Sequence, residues 1–249
     1  MFNLEVVKKN FDKDGFCVLD KFYSQNEILE LDSKVKDFIE FKSNYLKGRD
    51  INKTSDNSIN TMHDIDKHDQ YFEIFSNSQK VLNIASLLLN SEPDFRKCEM
   101  FAKPAKVGMP SPFHQDNFLW AVKNGNGLTF WVALDYCDES NGGLTYIKGT
   151  HKLGLLSHEE SFAPGTSQRL IQKELDRINK DFSIITPKLK PGDLIVHHCL
   201  IVHGSSANKS EKSRRGFTMQ FKDKFSGYDE ELKNYYENSL KKQLQSRNQ

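Results

Sequence analysis

Residues 127–154 read "GLTFWVALDYCDESNGGLTYIKGTHKLG", and the reading of the first ten decides the fold. Thr129, Trp131 and Ala133 alternate with Phe130, Val132 and Leu134. Side chains along a strand point to opposite faces in turn, so this run predicts a strand covered on both sides. A glycine-rich turn, "DESNGG" (138–143), follows it, and then a second short run, "GLTYIK" (143–148).

The same grammar extends in both directions. "CEMFAK" (98–103) and "PFHQDNFLW" (112–120) precede; "FSIITPKL" (182–189), "GDLIVHHCLIVH" (192–203) and "GFTMQFK" (216–222) follow. "KVGMPSP", "KNGNG" and "KPGD" separate them with turn chemistry. Seven short strands with no long helix between them predict a barrel or jelly roll. The polar stretch 154–181 interrupts them and reads as an insertion, partly helical.

The first 94 residues read as helical support. "DGFCVLD" (14–20) is a short strand, and "SQNEILELDSKVKDFIEF" (24–41) is a helix. Ser24 and Glu27 have capping-box spacing, and Ile28, Leu31, Val35 and Phe38 share a face. "SQKVLNIASLLLN" (78–90) predicts a second, strongly apolar helix, and 42–66 reads as a polar irregular loop. Residues 226–247 read as a C-terminal amphipathic helix. The expected whole is one domain over 1–249, mainly β with flanking helices and a jelly-roll core over 95–222.

Composition excludes several classes. A formal charge of +1 argues neither for nucleic acid nor for an anionic membrane, neither of which is an expected partner, and leaves room for a local basic pocket. No run approaches the roughly 20 apolar residues of a membrane span, and the N-terminus lacks the apolar core of a signal peptide. Cys17, Cys98, Cys137 and Cys199 form no CxxC or zinc-ribbon spacing, which predicts reduced thiols in a cytoplasmic protein.

Chemistry concentrates in two segments. In "FHQDN" (113–117) His114 and Asp116 are two apart, so on a strand or at its end they project together while Gln115 points away. An imidazole and a carboxylate can hold a divalent metal, and a second histidine from elsewhere would complete the facial triad of non-haem iron(II) enzymes. "IVHGSSANKSEKSRRGF" (201–217) supplies His203 and, eleven residues later, Arg214. A guanidinium beside such a site can pair bidentately with a carboxylate.

In combination these segments resemble the phytanoyl-CoA dioxygenase family of iron(II)/2-oxoglutarate oxygenases. The motifs "FHQD", "WVALDYCDESNGGLTYIKGTHKLG" and "PGDLIVHHCLIVHGSSANKSEKSRR" occur in the family's order, and the likeness spans roughly 10–222. Lys148 departs from the proline usual before Gly149. The resemblance implies a double-stranded β-helix (jelly-roll, cupin-like) core. It makes His114, Asp116 and His203 the iron ligands and the catalytic centre. It places Arg214 and Ser205 on the distal carboxylate of 2-oxoglutarate, and Thr129 and Trp131 against the same co-substrate. Fe(II), 2-oxoglutarate and O2 are then the expected cofactors. The implied reaction is hydroxylation of a small molecule at an unactivated C–H bond, with release of succinate and CO2. Family members that halogenate lack the carboxylate, so Asp116 favours hydroxylation. The alternatives are a metal-binding cupin without turnover, a desaturation or cyclisation with the same cofactors, and an acyl-CoA hydroxylase. A monomer or a homodimer is expected.

The neighbouring residues carry expectations of their own. His197 reads as structural, and His198 as packed within the barrel or facing substrate. Arg215 should face away from Arg214, towards solvent or a carboxylate. His151 should fix a turn, and His63 and His68 should be exposed loop residues. Phe118 and Trp120 read as pocket wall or core, and Cys199 as a buried small hydrophobe. The loop 42–66 and the insertion 154–181 should cover the entrance.

Overall fold

The computed structural model describes residues 2–161 and 167–247, so residues 162–166 of the insertion lie outside the described residues. The strands are β1 (Phe16–Leu19), β2 (Ile51–Lys53), β3 (Ile59–Met62), β4 (Pro93–Lys103), β5 (Ser111–His114), β6 (Gly127–Ala133), β7 (Leu144–Ile147), β8 (His158–Glu160), β9 (Gln168–Leu170), β10 (Ile184–Ile185), β11 (Leu194–His198), β12 (His203–Ser205) and β13 (Arg214–Asp223). The helices are α1 (Leu4–Asp14), α2 (Gln25–Asp37), α3 (Gln70–Ser76), α4 (Gln79–Leu89), α5 (Asp116–Trp120), α6 (Gln172–Asp181) and α7 (Glu230–Arg247).

Two antiparallel sheets make the core. The larger runs β1-β11-β6-β13-β4-β3-β2, and the smaller runs β10-β7-β12-β5. The alternation expected in β6 is what joins the layers. Leu128, Phe130 and Val132 enter the main core with Ile28, Leu31 and Val35 of α2 and Val81, Ile84 and Leu88 of α4. Trp131 and Ala133 face the other way, with Tyr146 of β7 and Ile195 of β11. The strand is buried on both faces because helices cover one side and the smaller sheet the other. At roughly 1.5–3 kcal/mol for each buried aliphatic or aromatic side chain, the helix-facing layer is the main apolar contribution to stability.

The capping box expected at Ser24 is present. The Ser24 side chain accepts from Glu27 N–H, and the Glu27 carboxylate accepts from Ser24 N–H.

Three expectations about local structure change. The segment 1–94 is not only helical support: the strand expected within 14–20 forms as β1 and joins the larger sheet through β11, and β3, not expected, pairs with β4. The polar loop 42–66 contains the β2–β3 hairpin, where Thr61 lies opposite Phe101 and Met62 opposite Met100. Its pattern is hard to read because Asn52 and Thr61 hydrogen-bond each other across the pair while Met62 enters the core. Finally, "PFHQDNFLW" is not one strand. β5 ends at His114 and α5 begins at Asp116. The chain turns there because Asn117 N–H donates to the carbonyl of Cys199, and the Asn117 amide closes onto both backbone groups of Val122.

Candidate active site

Strand pairing brings the expected residues together. In the smaller sheet His203 of β12 lies directly opposite His114 of β5, and their ring centroids are 4.4 Å apart. Asp116, at the start of α5, reaches back so that its Oδ1 is 3.6 Å from Nε2 of each histidine. One ligand atom from each of the three lies within 4.8 Å of the others. Gln115 faces away, as expected: its amide donates to the carbonyls of Gly154 and Leu200 and accepts from Leu156 N–H.

The surroundings set protonation and orientation. The Nδ1 of His114 is 2.8 Å from the carbonyl of Pro112, and that of His203 is 3.2 Å from the carbonyl of Ile201. A carbonyl can only accept, so each Nδ1 carries the proton and each Nε2 presents its lone pair to the common centre. Burial pushes His203 down to about 3, which keeps it neutral and able to ligate. Burial works against the charge on Asp116, yet the imidazoles around it hold its carboxyl well below the ordinary value. Two imidazole nitrogens and one carboxylate oxygen on one side of a point, with a cavity opposite, are the donor set that suits non-haem iron(II).

The second oxygen of Asp116 is also held. Thr129 Oγ1 donates to Oδ2 at 2.7 Å, and His197 Nε2 lies 3.2 Å from it. His197 Nδ1 in turn meets the Tyr146 hydroxyl at 2.9 Å. Thr129, expected against the co-substrate, therefore touches the carboxylate directly, and His197 is its second partner. Outer partners of this kind typically change metal affinity 10- to 100-fold. Thr129→Val is expected to weaken Fe(II) binding by about that range, as measured by anaerobic metal titration. The fold should survive, because valine keeps the shape.

A cavity of about 960 Å³ opens onto the triad and runs past Arg214, Ser205, Trp131 and Lys103. Arg214 opens β13 and is 2% exposed. Its Nε and Nη2 donate to the carbonyl of Gly142 at 3.1 and 2.7 Å, and its guanidinium lies 5.4 Å from the Trp131 ring centroid. Trp131 packs against Gly216 of β13: a Cβ there would come within 1.9 Å of its ring. Arg215 faces the opposite way and pairs with Asp135 and Asp32.

Lys103, which sequence reasoning missed, sits across from Arg214 in the β4–β13 register. Its Nζ donates to the carbonyls of Ser205 and Ser206, at 3.4 and 2.5 Å. Burial, with Arg214 adding to it, lowers Lys103 to about 6. Two basic side chains thus meet at this end of the cavity, and Asp135 is taken by Arg215.

Two further expectations are corrected. His63 is not an idle loop residue: its Nδ1 lies 2.5 Å from Oε1 of buried Glu99, and it lines the cavity. His198 does not line the cavity; its ring packs tilted against those of Phe11 of α1 and His151. Strand alternation carried the missed signal for His197. In "LIVHH" it shares a face with Ile195, whereas His198 falls on the face of Leu194 and Val196. His68 is exposed, as expected, and Trp120 lines the cavity, while Phe118 stacks on His158.

The model of the phytanoyl-CoA dioxygenase family matches residues 11–216. The chain belongs to the phytanoyl-CoA dioxygenase family. Among family relatives, the peroxisomal phytanoyl-CoA dioxygenase of Bos taurus is 27% identical over 157 residues, which is 62% of this chain and 43% of that protein. The chain therefore spans less than half the length of this relative. The ectoine dioxygenase of Sphingopyxis alaskensis is 23% identical over 210 residues, 80% of this chain and 69% of that one. Among solved structures, EctD from S. alaskensis with 2-oxoglutarate and 5-hydroxyectoine superposes with a TM-score of 0.76 at 20% identity, covering 92% of this chain and 78% of that one. The epimerase SnoN from nogalamycin biosynthesis superposes at 0.71 and 19%, covering 90% and 84%. Such likenesses fix the family fold as a double-stranded β-helix. No helix among the described residues is long and apolar enough to cross a membrane.

Proposed function

We propose that this family member is an Fe(II)- and 2-oxoglutarate-dependent dioxygenase that hydroxylates a small metabolite at an unactivated C–H bond. The observation that carries the reading is the convergence of two imidazole Nε2 atoms and one carboxylate oxygen on a cavity that Arg214 and Lys103 also line. The overall reaction takes substrate, O2 and 2-oxoglutarate to hydroxylated substrate, succinate and CO2. Iron(II) held by His114, Asp116 and His203 would supply the activation of O2.

The chain's own residues have separable tasks. The backbone carbonyls of Pro112 and Ile201 hold both imidazoles in the ligating tautomer. Thr129 and His197 keep Asp116 ionised and turned, leaving Oδ1 for the metal. Arg214 receives the distal carboxylate of 2-oxoglutarate, helped by the Ser205 hydroxyl, and Trp131 shields that ion pair from water. We assign Lys103 to the same carboxylate as a second cation.

Lys103 makes the last assignment testable by pH. The free protein protonates it only below about 6. A carboxylate beside it favours the charged form, so binding at pH 7–8 takes up a proton, and affinity falls as pH rises above 6. Calorimetry in two buffers of different ionisation enthalpy is expected to show this uptake. Lys103→Met should abolish it and weaken 2-oxoglutarate binding about 10- to 100-fold, the worth of one charge-assisted hydrogen bond.

The protein is read as a single catalytic domain acting on a small molecule, as a monomer or homodimer, without nucleic acid or membrane partners. Four buried, unpaired cysteines support a reducing, cytoplasmic setting. The deciding experiment is Fe(II)-dependent conversion of 2-oxoglutarate to succinate by the purified chain. Metal binding with no 2-oxoglutarate binding would leave a cupin without turnover. If substrate-stimulated succinate forms without a hydroxylated product, desaturation, cyclisation or epimerisation takes its place.

A further inference from the structure

Part of the cavity that holds the triad forms a polar chamber. β4 and β13 place it: Lys97, Glu99, Thr218 and Gln220 all line the cavity, while Cys98, Met100, Phe217, Met219 and Phe221 fill the core behind them. Glu99 is 3% exposed and lies at the centre. Its Oε1 is 2.5 Å from His63 Nδ1 and 2.6 Å from Lys97 Nζ, and its Oε2 accepts from Gln220 Nε2 at 2.6 Å. Burial opposes the charge, but Lys97 and His63 hold the carboxyl down at about 2.

This network fixes one amide. A carboxylate can only accept, so Gln220 must turn Nε2 to Glu99 and leave Oε1 on its other side. Gln220 Oε1 is buried and has no hydrogen-bond partner. Asn60 Oδ1, on β3 at the same cavity, is in the same condition. A buried acceptor without a donor is costly, and both residues are at least nine-tenths buried.

Gln220 is also close to the chemistry. In the β13–β6 register it lies directly opposite Thr129, whose hydroxyl holds Asp116. Cross-strand neighbours have Cβ atoms about 5 Å apart. Arg214 is on the same face of β13, six residues away, or roughly 20 Å along an extended strand. Gln220 therefore lies at the level of the triad, well away from the end of the cavity marked by Arg214 and Lys103.

We propose that the Glu99–Gln220–Asn60 chamber is the substrate head-group subsite, and that it takes a neutral or cationic group rich in N–H or O–H donors. The proposal rests on the oxygenase reading above and narrows its substrate class to a small polar metabolite bearing an amine, amide or hydroxyl head. Lys97 pairs with Glu99, Lys67 and Lys97 share Asp64, and Arg96 lies over the Trp120 and Tyr228 rings, so the chamber carries both signs of charge and its unpaired amide oxygens are what select a donor head. An acyl chain is disfavoured, because it would cover charged and amide groups with hydrocarbon and give them nothing in return.

The test uses the full chain loaded with Zn(II) and 2-oxoglutarate, which blocks turnover, and ligand-observed NMR titrations of four probes. Ethanolamine and acetamide carry donor heads; acetate and hexanoate do not. The donor probes are expected to bind, and Gln220→Met to weaken them about tenfold, the worth of one hydrogen bond. Asn60→Ala, on a different strand, should do the same, so misfolding of one variant does not decide the outcome. The proposal is overturned if hexanoate or acetate binds as tightly as the donor probes. It is equally overturned if donor binding is absent or is unchanged in both variants. Uptake of 2-oxoglutarate is read in the same samples. Its absence counts against the oxygenase reading, while the probes still decide the subsite.

Discussion

Asp116→Ala is expected to abolish both tight Fe(II) binding and succinate formation. The carboxylate is the only anionic donor of the three, and its Oδ1 is the atom that both histidine Nε2 groups face at 3.6 Å. Removing a ligand should exceed the roughly 100-fold ceiling typical of an outer partner, so this loss should be larger than that of Thr129→Val. The substitution also strands the Thr129 hydroxyl and His197, which both address Oδ2. Each buried group left unpaired costs about 1–3 kcal/mol, so a lower melting temperature should accompany the loss. Asp116→Asn separates the two effects: it retains a carbonyl oxygen and most of the volume but removes the charge. Metal titration and thermal melting of the two variants give the comparison. Fe(II) affinity within tenfold of wild type in Asp116→Ala would refute the ligand assignment.

Arg214→Met is the second large effect, and it should separate co-substrate from metal. Truncating one partner of a buried, hydrogen-bonded charge pair costs about 2–5 kcal/mol, so the Kd for 2-oxoglutarate should rise about 30-fold to several thousandfold. Fe(II) binding should change little, because Arg214 bonds to Gly142 and touches none of the three ligands. Arg214→Lys keeps the charge but loses the planar fork, and should fall between wild type and Arg214→Met. Equal weakening of iron and 2-oxoglutarate would place Arg214 in the scaffold instead of the anchor. An unchanged 2-oxoglutarate Kd would move the anchor elsewhere, with Lys103 the first alternative.

The two predictions draw on differently legible parts of the chain. His114, Asp116, His203 and Arg214 could be named from the resemblance, because the family's motifs are short and local in the sequence. Thr129, His197, Tyr146 and Lys103 could not be given their roles that way. Each acts on a residue at least 13 positions away, through a hydrogen bond or a strand register. A partial signal existed in "RKCEMFAK" (96–103): Lys97, Glu99 and Lys103 alternate with Cys98, Met100 and Ala102. Charges on one side of a strand with an apolar opposite side read equally as a solvated face or as a polar cavity. Only the layer above the strand distinguishes them.

The β2–β3 hairpin makes the same point at the level of the fold. Its segment is rich in Asn, Thr, Ser, Asp and Lys and reads as loop, yet pairing of β3 with β4 makes it the rim of the larger sheet and brings Asn60 to the cavity. The sequence by itself determined the double-faced strand β6, the capped helix α2, the turn-separated strand order and the identity of the three converging side chains. The elements follow from periodicity and local backbone preference, and the three side chains from the resemblance to the family's motifs. Tertiary structure alone decided that Thr129 holds Asp116, that Lys103 joins Arg214, and that Glu99 orients Gln220. Such contacts depend on which strands become neighbours and in what register, and no single stretch of chain encodes its partner's register.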